Sequence, residues 1–110
     1  MLRENATIVV ARNERWSGQV ATEPVECGWA SEAIFFVRNL GGQSPEEIDA
    51  RIQISPDGMH WADLGVSAFL PGSAEDVTAM RAAHFGNWLR LVTTIPDGIE
   101  FVALVTLHLK

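Results

Sequence analysis

Apolar and polar residues alternate with a period of two along most of this chain, the period of extended strands whose successive side chains point to opposite faces. From Ile99 to Lys110, the residues Ile99, Phe101, Ala103, Val105, Leu107 and Leu109 fall on one side. Glu100, Val102, Leu104, Thr106, His108 and Lys110 fall on the other. Ile48, Ala50, Ile52 and Ile54 alternate with Asp49, Arg51, Gln53 and Ser55, which predicts a strand with one buried and one wet face. Asn87 to Ile95 sets Leu89, Leu91, Thr93 and Ile95 against Trp88, Arg90, Val92 and Thr94. Ala33 to Leu40 is apolar on both faces and stops at Gly41-Gly42, as a central strand before a turn would. Ala6 to Arg12 is a β-branched run, and Trp16 to Thr22 predicts a second strand after a polar turn at Asn13-Glu14.

Two turns share a signature, Ser55-Pro56-Asp57-Gly58 and Ile95-Pro96-Asp97-Gly98. Proline presets φ, aspartate bonds locally and glycine takes positive φ, so each predicts a hairpin between flanking strands. The stretch 73–85 is open to two readings. Ser73 can cap a helix, whereas Val77, Ala79, Arg81 and Ala83 alternate with Thr78, Met80, Ala82 and His84, and the alternation favours a strand. Six to eight short strands at hairpin spacing, without crossover helices, predict an all-β fold: a single domain over residues 1–110, an antiparallel β-sandwich of jelly-roll-like type.

Composition narrows the class. A chain of 110 residues has room for one core. Eight basic residues against fourteen acidic ones give a net charge of -6, and the basic residues are scattered along the sequence, which argues against nucleic acid and anionic membranes as partners. Cys27 is a lone cysteine, so no disulfide forms within the chain and the residue reads as a small buried hydrophobe. The first residues lack the apolar stretch of a signal peptide and no run is long enough to span a membrane, so synthesis in the cytoplasm is expected, with a virion or other particle as one final address.

No residues assemble into recognisable chemistry. His60, His84 and His108 lie in no catalytic signature, and His60 and Asp63 would point to opposite faces of a strand. Glycines form neither a phosphate loop nor a dinucleotide turn. The expectation is therefore no catalytic residue, no metal and no cofactor. Of the four tryptophans, Trp61 and Trp88 are expected in the core or at its rim, while Trp16 and Trp29 flank less regular segments and are the candidates for partner contact.

The run Ile52-Gln53-Ile54-Ser55-Pro56-Asp57-Gly58-Met59-His60-Trp61, followed by Asn87-Trp88-Leu89-Arg90-Leu91, resembles two consecutive signatures of discoidin-like and related jelly-roll domains. There a strand ends in a Ser-x-Asp-Gly hairpin closed by Trp, and a later aromatic-Leu-Arg-Leu strand returns through the sandwich. Similar hairpins occur in accessory proteins of phage particles. The resemblance implies a sandwich and carries over no binding residue.

Surplus apolar residues supply the functional expectation. A sandwich strand needs one apolar face, yet Ile34 and Phe36 oppose Phe35 and Val37, and Val102 and Leu104 oppose Phe101, Ala103 and Val105. Either residues 73–85 cover that second face or another subunit does. The expected function is a non-enzymatic structural subunit that self-associates or decorates a larger assembly, with Ile34, Phe36, Val102 and Leu104 as its assembly face. Its partner is then a copy of itself or another subunit. The alternative is a β-sandwich module that binds a carbohydrate or another small ligand.

Overall fold

The computed structural model describes residues 4–41 and 47–110. Nine strands are present among them: β1 Ala6–Trp16, β2 Gly18–Ala21, β3 Val25–Glu26, β4 Glu32–Asn39, β5 Asp49–Ser55, β6 Ala62–Phe69, β7 Thr78–Ala83, β8 Trp88–Ile95 and β9 Phe101–Leu109. They form two antiparallel sheets. Sheet A has the order β1-β9-β4-β7, and sheet B the order β2-β8-β5-β6, with β3 pairing a further part of β8. Since β2 and β3 share one place beside β8, the nine strands fill eight positions. Apart from β2–β3 and β5–β6, each strand is followed by one in the opposite sheet, which is the connectivity of a jelly roll.

The alternation read from the sequence decides which residues enter the space between the sheets. Sheet A contributes Phe35, Val37, Met80, Phe101, Val105 and Leu107, and sheet B contributes Ala50, Ile52, Leu89, Leu91 and Ile95, all buried. The polar groups drawn in with them are bonded, apart from Asn39 Nδ2, which has no partner among the described residues. Thr22 Oγ1 accepts Leu91 N–H at 2.9 Å, and Thr93 Oγ1 donates to the Asp49 carbonyl at 2.7 Å. Buried Asn39 ends β4, its Oδ1 accepting the Gly41 and Val102 amides at 3.0 and 3.2 Å.

Four expectations meet the structure; three change, and the strand favoured within 73–85 holds while its covering role does not. First, Asn13-Glu14 is not a turn: β1 runs through it, and Asn13 is the extra residue of a β-bulge between the pairs Arg12–Leu104 and Glu14–Ala103. Its φ of 51° is a conformation asparagine tolerates. The chain changes sheet only after Trp16. Second, Ile95-Pro96-Asp97-Gly98 is no hairpin, because it carries β8 of sheet B into β9 of sheet A; Ser55-Pro56-Asp57-Gly58 does join the neighbours β5 and β6.

Third, residues 78–83 form strand β7, with Met80 and Ala82 inward as the alternation requires. That strand pairs with β4 at the edge of sheet A, so it extends the sheet and does not lie over its outer face. Fourth, Trp16 does not offer itself to a partner. It is buried and stacks on Phe101, with ring centroids 5.5 Å apart and planes within 15°. The register of β1 after its two bulges, between Val9 and Ala11 and between Arg12 and Glu14, sets this: Trp16 pairs with inward-facing Phe101 and therefore shares its side of the sheet.

Candidate functional site

Antiparallel pairing puts directly opposed residues on the same side of a sheet, so register alone shows what each outer face displays. On sheet A, Ile34 opposes His108, Phe36 opposes Thr106, Arg38 opposes Leu104, and the Leu40 amide donates to the Val102 carbonyl at 2.7 Å. All four residues of the expected assembly face, Ile34, Phe36, Val102 and Leu104, are thus brought onto one surface, each half-buried. They run diagonally across β4 and β9. Val9, opposite Thr106, and Leu40 extend the patch, and both are exposed. Phe36 meets the His108 ring edge-on at 5.0 Å. Trp29, 47% exposed in the turn after β3, lies outside these pairings.

The same pairings collect charge that is dispersed in the sequence. Arg12 opposes Leu104, Arg15 opposes Val102, Arg81 opposes Ile34, and Arg38 sits between Phe36 and Leu40. Half of the chain's eight basic residues therefore frame one apolar patch. Arg15 pairs with Glu100 at the margin, and Arg38 donates to the Ala74 carbonyl at 3.3 Å. Glu32, also on this face, stands at its far end opposite Ala83.

The outer face of sheet B is polar. Arg90 projects from central β8, its Cζ 4.2 Å above the centroid of the Trp61 ring, and its Nε donates to Gln53 Oε1 at 2.9 Å. Gln53 Nε2 in turn donates to Asp63 Oδ1 at 2.9 Å, and Arg51 Nη1 approaches Asp63 Oδ2 at 3.8 Å. Partial desolvation lowers the Arg90 pKa, but a guanidinium remains charged throughout. Trp61 and Trp88 belong to this outer rim, half-buried. The alternation already placed Trp88 and Arg90 on one side of β8, and Arg51 and Gln53 on one side of β5. What it could not supply was the pairing of Gln53 with Arg90.

Burial, aided by the Glu26 carboxylate, pushes the Cys27 thiol up to about 11, which leaves it a poor nucleophile. Among the described residues no three His, Cys, Asp or Glu side chains converge as metal ligands would. His60 instead bonds Asp57 within its own turn at 2.7 Å. Among the described residues no helix is long and apolar enough to cross a membrane.

With the two faces defined, the relatives can be placed. Residues 28–102 match the family model of a domain of unknown function, DUF6385, which covers more than half of the chain. The chain belongs to that family. No curated protein matches it in sequence. In fold it is similar to the SPBc2 prophage-derived protein YomS, with 8% identity, 96% of this chain and 92% of that one covered, and a TM-score of 0.63. It is also similar to part of a chain in the structure of infectious bursal disease virus, Gt strain, with 12% identity, a TM-score of 0.51 and coverage of 96% of this chain but 31% of the viral one. A structure of carbohydrate-binding modules from the β-sandwich superfamily matches more loosely, at 16% identity over 96% of this chain and 51% of that one, with a TM-score of 0.41. The first two of these likenesses support the sandwich and not discoidin membership in particular. At such identities they speak to fold alone.

Proposed function

We propose that this DUF6385 domain is a non-enzymatic structural subunit that builds into a larger assembly, such as a virion or a comparable particle, through the outer face of sheet A. The observation that carries this reading is the apolar diagonal of Ile34, Phe36, Leu104 and Val102, extended by Val9 and Leu40 and covered by no other element described in the chain. An antiparallel sheet facing water on its second side ordinarily alternates to polar residues there, so a contiguous apolar patch marks a contact surface. A fold that also occurs in a prophage-derived protein and in a virus structure is compatible with such a place.

Charge favours one kind of contact over another. Arg12, Arg15, Arg38 and Arg81 frame the patch in a chain whose net charge is -6, so the rest of the surface is more acidic than the chain as a whole. Two copies meeting face to face about a two-fold axis would set arginines against arginines. A head-to-tail contact would instead set this face on a different surface of the next copy, where carboxylates can meet the arginines, and such contacts close into rings or continue as filaments.

The test is Val102→Glu with Leu104→Glu, read by light scattering and circular dichroism. Carboxylates buried in an apolar contact cost several kcal/mol, so the wild type should form a larger species that 1 M NaCl weakens, and the double variant a smaller one with its β signal intact. A wild type that stays monomeric at high concentration, or a variant that assembles unchanged, would overturn the reading.

A further inference from the structure

Sheet B carries a polar trough that the contact of sheet A leaves unused. Short side chains form its floor, Val92 and Thr94 on β8 and Ala21 on edge strand β2, while Arg51, Gln53 and Arg90 stand along one side and Gln19 on the other. Its volume of about 410 Å³ lies in the range of small-ligand sites. Two properties set it apart from an ordinary wet sheet face.

One is preorganisation. The Arg90 guanidinium is held by the Trp61 ring beneath it and by Gln53 at Nε, and Gln53 is itself held by Asp63. Neither terminal nitrogen of Arg90 makes a hydrogen bond among the described residues, so the edge of the fork that matches a carboxylate is presented already ordered. Ordering a long side chain before the ligand arrives removes an entropy cost from binding. Arg51 stands one rung away, opposite Val92, and its contact with Asp63 at 3.8 Å is too long for a hydrogen bond, which leaves its donors available too.

The other is charge. Among the residues lining the trough only Arg51 and Arg90 are charged, in a chain that is otherwise strongly acidic. Asp63, bonded to Gln53 behind them, offsets one of the two positive charges, so the group suits a monoanion better than a phosphate dianion. The Gln19 amide and the Thr94 hydroxyl face the same space and suit a hydroxylated body, whose C–H groups Val92 and Ala21 can underlie. We infer that this trough binds a hydroxylated carboxylate of the acidic-sugar class, with Arg90 and Arg51 taking the carboxylate and Gln19 and Thr94 the hydroxyls.

Glucuronate is a suitable probe, followed by NMR titration of the Trp61 indole and Arg90 Nε–H resonances, with glucose and inorganic phosphate as comparisons. Saturable shifts are expected with glucuronate, at least about tenfold weaker binding of glucose and of phosphate, and a loss of about tenfold or more in Arg90→Lys, which keeps the charge but not the fork. Arg51→Gln leaves the Trp61 stack in place and should weaken binding comparably, which guards against a misfolded Arg90 variant. Val102→Glu with Leu104→Glu, on the opposite sheet, should bind as the wild type does, so this inference stands or falls apart from the assembly contact. Absence of shifts at millimolar glucuronate, glucose or phosphate binding as tightly, or Arg51→Gln binding unchanged would overturn it.

Discussion

The chain uses Pro-Asp-Gly twice, and the two copies do different things. In both, glycine takes the left-handed conformation, Gly58 at φ 78° and Gly98 at φ 83°. The first copy is bonded throughout. Ser55 Oγ accepts the amides of Asp57 and Gly58 at 3.2 and 2.8 Å, while Asp57 Oδ1 accepts those of Met59 and His60 at 2.8 and 2.9 Å. This knot turns β5 straight back onto β6 in the same sheet. The second copy has Ile95 where the first has Ser55, and its bond is the plain turn contact from Ile99 N–H to the Pro96 carbonyl at 3.2 Å. Ile95 has no hydroxyl to hold the turn; its side chain is buried in the core and the chain passes to the other sheet. The residue before the proline therefore separates a self-contained hairpin from a crossing that depends on what lies on either side of it.

Substitutions should expose that difference, most strongly at the glycines. Gly58→Val faces a double obstacle, since φ is positive and a new Cβ would sit 3.3 Å from the Trp88 ring. It should cost about 2–3 kcal/mol in chemical denaturation and shift tryptophan fluorescence. Gly98→Val carries the φ strain but meets nothing within 4 Å, so its loss should be smaller by about 1 kcal/mol. Equal losses would mean that the Trp88 contact contributes nothing.

Ser55→Ala comes next, because it strands two amides beneath a buried position. A loss of about 1–2 kcal/mol is expected from denaturation curves, and a change near zero would show that water replaces the hydroxyl. A smaller effect belongs to acid. The His60 amide, then the His60 ring, the Met59 amide and the Ser55 hydroxyl hold the Asp57 carboxyl far below the usual carboxylate range. Because the folded pKa is depressed, the stabilisation is complete above the unfolded value of about 4 and is lost as pH falls through the folded one. Asp57→Asn should therefore flatten the decline of Tm below about pH 4, and an identical acid limb would refute the assignment. Asp97 makes no side-chain hydrogen bond among the described residues, so Asp97→Ala should change stability by less than about 0.5 kcal/mol.

Much of this architecture is legible one residue at a time. Period-two alternation assigns Phe35, Val37, Ile52, Leu91 and Leu107 to the core and Ile34, Phe36, Val102 and Leu104 to the other side, because a strand's geometry leaves each side chain only two directions. Turn chemistry likewise reveals where the chain bends at Asp57-Gly58 and Asp97-Gly98. None of this names a neighbour. The bulges of β1 depend on how it must fit β9, and the register they leave sets Trp16 opposite Phe101, in the core. Arg12, Arg38 and Arg81 form one basic frame, and Arg51, Gln53, Asp63 and Arg90 one polar cluster, only through strand pairings that join residues far apart in the chain. Local periodicity determines the side on which a residue emerges. Which strand lies beside it, and so which surface it helps to build, is decided when two sheets close over a shared core, since the packing of both inner faces selects one set of pairings and registers.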